Sequence, residues 1–94
     1  MKITFSKHAL QKIKERKIKI KIIEKVLTNS EILFYDLTDK TLIAVAKVKI
    51  DNTQTNLVVV FIKEMNEIKI VTTYPCKDIN KEISRKEGKR WVRI

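Results

Sequence analysis

Apolar and polar positions recur with two different periods along this chain, and the switch between them divides it. Leu57–Ile62 is six consecutive apolar residues dominated by β-branched types, too few for a helix. Such a run predicts a strand buried on both faces. Lys63–Glu67 interrupts it with polar residues, where Asn66 suits a left-handed turn. Ile68–Tyr74 then alternates, with Ile68, Ile70 and Thr72 on one face and Lys69, Val71 and Thr73 on the other. Pro75 cannot donate to a ladder and is expected to close the strand. This hairpin predicts buried Val58, Val60 and Ile62, and brings the hydroxyls of Thr72, Thr73 and Tyr74 to the sheet rim.

Before the hairpin the period lengthens. Lys2–Phe5 alternates as a short leading strand, and Ser6 is a good N-cap for a helix from Lys7 to about Lys17. Ala9, Leu10 and Ile13 form its apolar stripe, while His8, Lys12, Glu15 and Arg16 fall on a different face. Ile18–Leu27 carries both periods; a second short helix from Lys19 or Ile20 to Thr28 fits the compactness of the chain. Glu31–Leu37 and Thr41–Lys49 are strand-like, with Thr38–Lys40 as the turn between them and Asp51–Thr55 as the next. After Pro75, Asp78 or Asn80 caps a helix to about Lys86, with Ile79 and Ile83 inward and Gly88 as its stop. Lys89–Ile94 follows as a tail. The expectation is one α+β domain over residues 1–94: two N-terminal helices and a C-terminal helix packed on a four-stranded antiparallel sheet.

Charge sharpens this picture. The 94 residues carry a net charge of +10. Residues 1–25 hold nine basic and two acidic residues, residues 77–94 seven and three, and the stretch between them five and six. Basic flanks around a neutral sheet point to a polyanion partner, since clustered cations concentrate phosphate and release its counterions. The alternative is a solvated lysine-rich surface. A single cysteine, Cys76, forms no intramolecular disulfide, Met1–Phe5 is too short for a signal peptide, and Leu57–Ile62 is too short to span a bilayer. These features lead us to expect a soluble cytoplasmic protein with no membrane association.

His8 is the only histidine, and so the only side chain with an ordinary pKa suited to proton transfer near neutrality. A neutral imidazole on a basic face can take the proton of a ribose 2′-hydroxyl while Arg16 and Lys12 hold the phosphate. An ordinary surface histidine and a solvated helix face are the alternatives. Thr72 and Tyr74 share one face of their strand and offer donors. Tyr35 can stack a base, whereas Phe34 and Trp91 read as core. One Cys and one His cannot build a zinc site, the carboxylates are not clustered for a two-metal nuclease, and a lone glycine provides no phosphate loop. No cofactor is expected.

Ser6-Lys7-His8-Ala9-Leu10, Glu15-Arg16-Lys17-Ile18 and Ile23-Glu24-Lys25-Val26-Leu27, with Ile68–Tyr74 later, resemble a small prokaryotic family of unknown-function domains. Its signature is a His-Ala-x6-Arg helix and a strand ending in Thr-x-Tyr. Lys12 stands where relatives often have a second arginine, and Lys19 where a small capping residue is usual. At fold level the family is similar to BrnT- and RelE-type toxins of the barnase–EndoU–colicin–RelE ribonuclease group. The resemblance implies a metal-independent endoribonuclease toxin, often with a protein antitoxin as partner. It implies functional roles for His8, Arg16, Thr72 and Tyr74. With the basic flanks, the expectation is His8, Arg16 and Tyr74 as catalytic and Lys7, Lys12, Thr72, Lys89 and Arg90 contacting RNA. The alternative is a non-catalytic RNA- or DNA-binding module using the same basic face.

Overall fold

The computed structural model describes residues 2–94; Met1, part of the opening stretch read above, lies outside them. The chain runs β1 (Lys2–Phe5), α1 (Lys7–Arg16), α2 (Ile20–Thr28), β2 (Ile32–Asp36), β3 (Thr41–Ile50), β4 (Thr53–Glu64), β5 (Glu67–Cys76), α3 (Ile79–Lys86) and β6 (Trp91–Arg93). The described strands form one six-stranded sheet in the order β1-β5-β4-β3-β2-β6. Its centre is the expected antiparallel meander β2 to β5.

The sheet has a core on each face. On one, Ala9, Ile18, Ile23 and Val26 of the N-terminal helical segment pack on Ala44, Ala46, Leu57, Val59, Phe61 and Ile70. On the other, Phe34, Ile43, Val45 and Val58 pack with Ile83 of α3 and Trp91 of β6. Alternation along β4 divides the Leu57 run between the two, so both of its faces are covered. Val58 is buried as expected, but Val60 and Ile62 are only half-buried. Leu57, Val59 and Phe61 are the deeper set toward the N-terminal helices.

The local signals explain the elements. The Ser6 hydroxyl accepts from the Ala9 N–H at 3.0 Å and caps α1, an interaction worth about 1 kcal/mol. Lys17 ends that helix in the left-handed region at φ 52, donating to Ile13 and Lys14 carbonyls, so that α2 can fold back. Asp78 caps α3 by accepting from the Lys81 N–H.

Four expectations are corrected. The sheet is six-stranded and mixed rather than four-stranded and antiparallel, because β1 pairs with β5 in parallel and β6 pairs antiparallel with β2. The three helices do not share a side: α1 and α2 cover one face and α3 the other. The turns are tighter than expected: Asp51 and Asn52 take φ 50 and 63 and β4 begins at Thr53, while Met65 rather than Asn66 takes the left-handed position at φ 47. Pro75 does not end β5; it pairs with Leu57 beyond the reach of β1, on an edge where no donor is needed.

A bulge decides the positions of the hydroxyls. Val60 pairs with Thr72 and Phe61 with Ile70, so Val71 is an extra residue in β5. Beyond it the alternation shifts phase. Ile70 and Thr73 share the face of α1, and Thr72 lies on the opposite face from Ile70, not the same one.

Candidate functional site

Helix α1 lies along β5 and is pinned to it at both ends. At its start the Ser6 hydroxyl donates to the carbonyl of the bulge residue Val71 at 2.9 Å, supplying a partner to a group taken out of the ladder. At its end the Arg16 guanidinium donates through Nη1 to the Thr73 carbonyl. Arg16 is therefore half-buried and part of its fork is committed to backbone. Its remaining donors line a hollow of about 300 Å³ with Lys77, Thr53 and Thr55. Lys12 pairs with Glu15 at 3.4 Å, and that ammonium holds the Glu15 carboxyl below its usual range. Lys7 and His8 are exposed at the start of the helix.

Tyr74 and Thr72 are elsewhere. With Thr41, Ile43, Val60 and Arg90 they line a hollow of about 390 Å³ on the face that α3 covers. Tyr74 thus lines the face opposite the one His8 and α1 occupy, while Arg16, held at the β5 edge by the Thr73 carbonyl, is near enough to act on the Tyr74 hydroxyl. Arg90 is in this hollow too, but its Nε donates to Asp36 at 2.8 Å and its Nη2 to Asp39. Asp36, 3 % exposed, also accepts from the Thr38 and Asp39 N–H groups and from Trp91 Nε1 at 3.3 Å. Burial opposes ionisation of Asp36, yet the Asp39 N–H, Arg90 and the Thr38 N–H outweigh it and keep the carboxyl below its usual range. Lys86, on the same wall, pairs with Glu82 at 2.8 Å and lies 4.8 Å from the Trp91 ring centroid. Lys89 is exposed in the turn before β6 and lines neither hollow.

Burial, and then the Glu82 carboxylate, push the Tyr74 hydroxyl up to about 12. The folded state keeps this proton where the unfolded chain, with an ordinary value of 10.0, has released it. Stability is untouched below that ordinary value and falls as pH rises between the two, by roughly 2–3 kcal/mol in total. Tyr74→Phe is expected to remove this alkaline loss. Urea midpoints of wild type and variant, compared at about pH 9 and about pH 11.5, read the difference, since lysine titration is common to both.

A second concentration of charge lies where β3 meets β4. Lys17, Lys19 and Lys49 line a hollow of about 350 Å³ beside Asp51 and Asn52. Lys25, Lys47 and Lys49 line its neighbour, of about 330 Å³. All five lysines are exposed, and none is within ion-pair distance of a carboxylate among the described residues. Lys47 and Lys49 sit in the stretch whose charges cancel along the chain, which hides them from a count by segment. Their exposure was legible from alternation along β3, where they flank Val48. Their meeting with α2 depends on the packing of α2 on β3 and β4.

Residues 5–75 match the family described as Domain of unknown function (DUF4258). The chain belongs to the DUF4258 family. No curated protein and no solved structure matches it. The DUF4258 segment takes in His8, Arg16, Thr41, Thr72, Tyr74 and all five unpaired lysines of the basic end. It stops short of α3 and β6, which bring Lys86, Arg90 and Trp91 to the sheet face. None of the described helices is long and apolar enough to cross a membrane.

Proposed function

We propose that this DUF4258 domain binds RNA, holding the phosphate backbone against the lysine-lined end of the sheet. The observation that carries the reading is the convergence of Lys17, Lys19, Lys25, Lys47 and Lys49, from a helix corner and a hairpin, with no carboxylate paired to any of them. Like charges held together repel, and a polyanion relieves that repulsion while releasing its own counterions. RNA affinity is expected to fall steeply with salt, with a log–log slope of about −3 for a single strand contacting four or five phosphates. Lys25→Glu with Lys49→Glu is expected to flatten that slope, whereas Lys63→Glu, at the other end of β4, leaves it unchanged. Fluorescence anisotropy between about 50 and 200 mM salt measures both. Salt-independent binding, or equal slopes in all three proteins, removes the reading.

Cleavage is the second reading, and α1 favours it. His8 is exposed there, with Lys12 four residues on and Arg16 eight residues on, the latter lining a hollow with Lys77. The corresponding chemistry is metal-independent attack of a ribose 2′-hydroxyl, with His8 taking its proton and Arg16 holding the phosphate. Two helices on one face of an antiparallel meander are compatible with kinship to BrnT- and RelE-type toxins. A protein antitoxin would then be a partner.

A further inference from the structure

We propose that the hollow on the sheet face opposite α1 binds a nucleobase, an uncharged planar heterocycle bearing carbonyl oxygens. The source is either a free nucleoside or a base turned out of an RNA strand; only the second rests on the RNA reading above. Thr41 carries the argument. It is 5 % exposed, it lines the hollow, and its Oγ1 has no hydrogen-bond partner. A hydroxyl sealed from solvent with nothing to bond costs free energy, and a ligand's carbonyl or N–H recovers it when the Thr41 side chain turns its Oγ1 toward the hollow.

The rest of the lining selects the ligand's character. Thr72 and Tyr74 place two more hydroxyls on the same hollow, and Tyr74 keeps its proton well beyond neutral pH. Beside them the lining is branched aliphatic chains, Val60 and Ile62 from β4 and the bulge residue Val71 from β5. Flat apolar faces suit those walls better than a hydroxylated sugar does, and hydroxyls at the edge read carbonyls. A space of about 390 Å³ is within the range of small-molecule sites.

The charges argue for neutrality. Arg90 is held by Asp36 and Asp39, and Lys86 by Glu82, so neither cation lining the hollow is left uncompensated for a phosphate. Both Asp36 oxygens already accept hydrogen bonds and Asp39 pairs with Arg90, so the two carboxylates lining the hollow are both engaged. The hollow lies at the start of β3 and the basic end at its finish, about 25–30 Å along the strand. Nucleoside binding is therefore separable from binding of a phosphate backbone.

Titration of the methyl-labelled protein with uridine, cytidine, adenosine and guanosine, followed by NMR, tests the proposal. Saturable shifts are expected at Val60, Ile62 and Val71 with at least one of the carbonyl-bearing nucleosides uridine, cytidine and guanosine, and weaker ones with adenosine, which has none. Thr41→Val is expected to keep the fold and to weaken that binding about tenfold. Lys25→Glu with Lys49→Glu is expected to leave nucleoside affinity unchanged, so loss of RNA binding there overturns nothing here. If only an RNA oligomer moves these methyls, and a matched strand with an abasic residue does not, the base comes from RNA. The proposal is overturned if neither nucleosides nor RNA give saturable shifts, if Thr41→Val binds as tightly as wild type, or if inorganic phosphate moves the same methyls.

Discussion

His8→Ala is expected to lower RNA cleavage by about two to four orders of magnitude while leaving RNA affinity within about twofold. The split follows from where the imidazole sits. It is exposed on α1, apart from the five lysines proposed to hold the backbone, so removing it deletes a proton acceptor and little binding surface. Arg16→Ala should reduce both cleavage and affinity, because a guanidinium holds phosphate in the ground state and more tightly as charge builds in the transition state. Tyr74→Phe should leave cleavage unchanged, since Tyr74 lies across the sheet from His8. That outcome distinguishes the two faces: loss of cleavage in Tyr74→Phe would move the active centre to the side covered by α3. Cleavage should persist in EDTA, leave a 2′,3′-cyclic phosphate, and spare DNA, which lacks the attacking hydroxyl. If wild type binds RNA yet leaves it uncut, both free and on translating ribosomes, the binding module stands alone.

Asp36→Ala is expected to be the most destabilising single change on the sheet, at about 3–5 kcal/mol. The carboxylate is nearly inaccessible and gathers two backbone N–H groups, the Arg90 guanidinium and the Trp91 indole. Truncation leaves those donors unpaired and releases the β2–β3 turn from the chain leading into β6. Asp36→Asn should lie between, because an amide oxygen satisfies N–H groups but offers no charge to Arg90. The depressed folded-state value means that the stabilisation is fully present above about pH 4 and is lost as pH falls through the lower folded value. Wild type should therefore show an acid-induced loss that Asp36→Asn lacks. Denaturant unfolding across that range reads both effects, and equal acid sensitivity would remove Asp36 as the cause.

The central hairpin, α1 and α3 were legible because each carries its own signal: a β-branched run, an N-cap serine, an aspartate before an amphipathic turn; α2, whose segment carries both periods and has no side-chain cap, was placed by compactness. What escaped was set by contacts distant in sequence. The bulge at Val71 has no composition of its own; its carbonyl is satisfied by Ser6, far earlier in the chain. Since the bulge changes which face each later residue occupies, strict alternation misplaced Thr72 relative to Ile70. Trp91–Arg93 is too short to show a period, and its strand depends on Asp36 receiving Arg90 and Trp91. Gly88 read as the stop of a helix ending near Lys86, and α3 does end there, with Gly88 just past the cap at φ 80; what did not show is that its N–H donates to the Trp91 carbonyl and so leads into β6. For the candidate site, His8 and Arg16 could be placed on one helix from spacing alone. That Tyr74 lies behind the sheet, and that Lys47 and Lys49 join Lys17, Lys19 and Lys25, are facts of packing.

The parallel pairing of β1 with β5 bears on how the chain is made. The contact of Ser6 with Val71 spans 65 residues, whereas β3 with β4 and β4 with β5 close through tight turns. Closing the longer loop costs more chain entropy, and its reward arrives only once β5 exists. During synthesis β1 and α1 leave the ribosome before the rest of this domain, and the β5 edge they dock on follows only after most of it. Their apolar stripe, with Ala9 and Ile13, is exposed throughout that interval. The segment that carries His8 and Arg16 therefore takes up its place against the sheet late, and the nascent chain acquires its candidate chemistry only as it completes its fold.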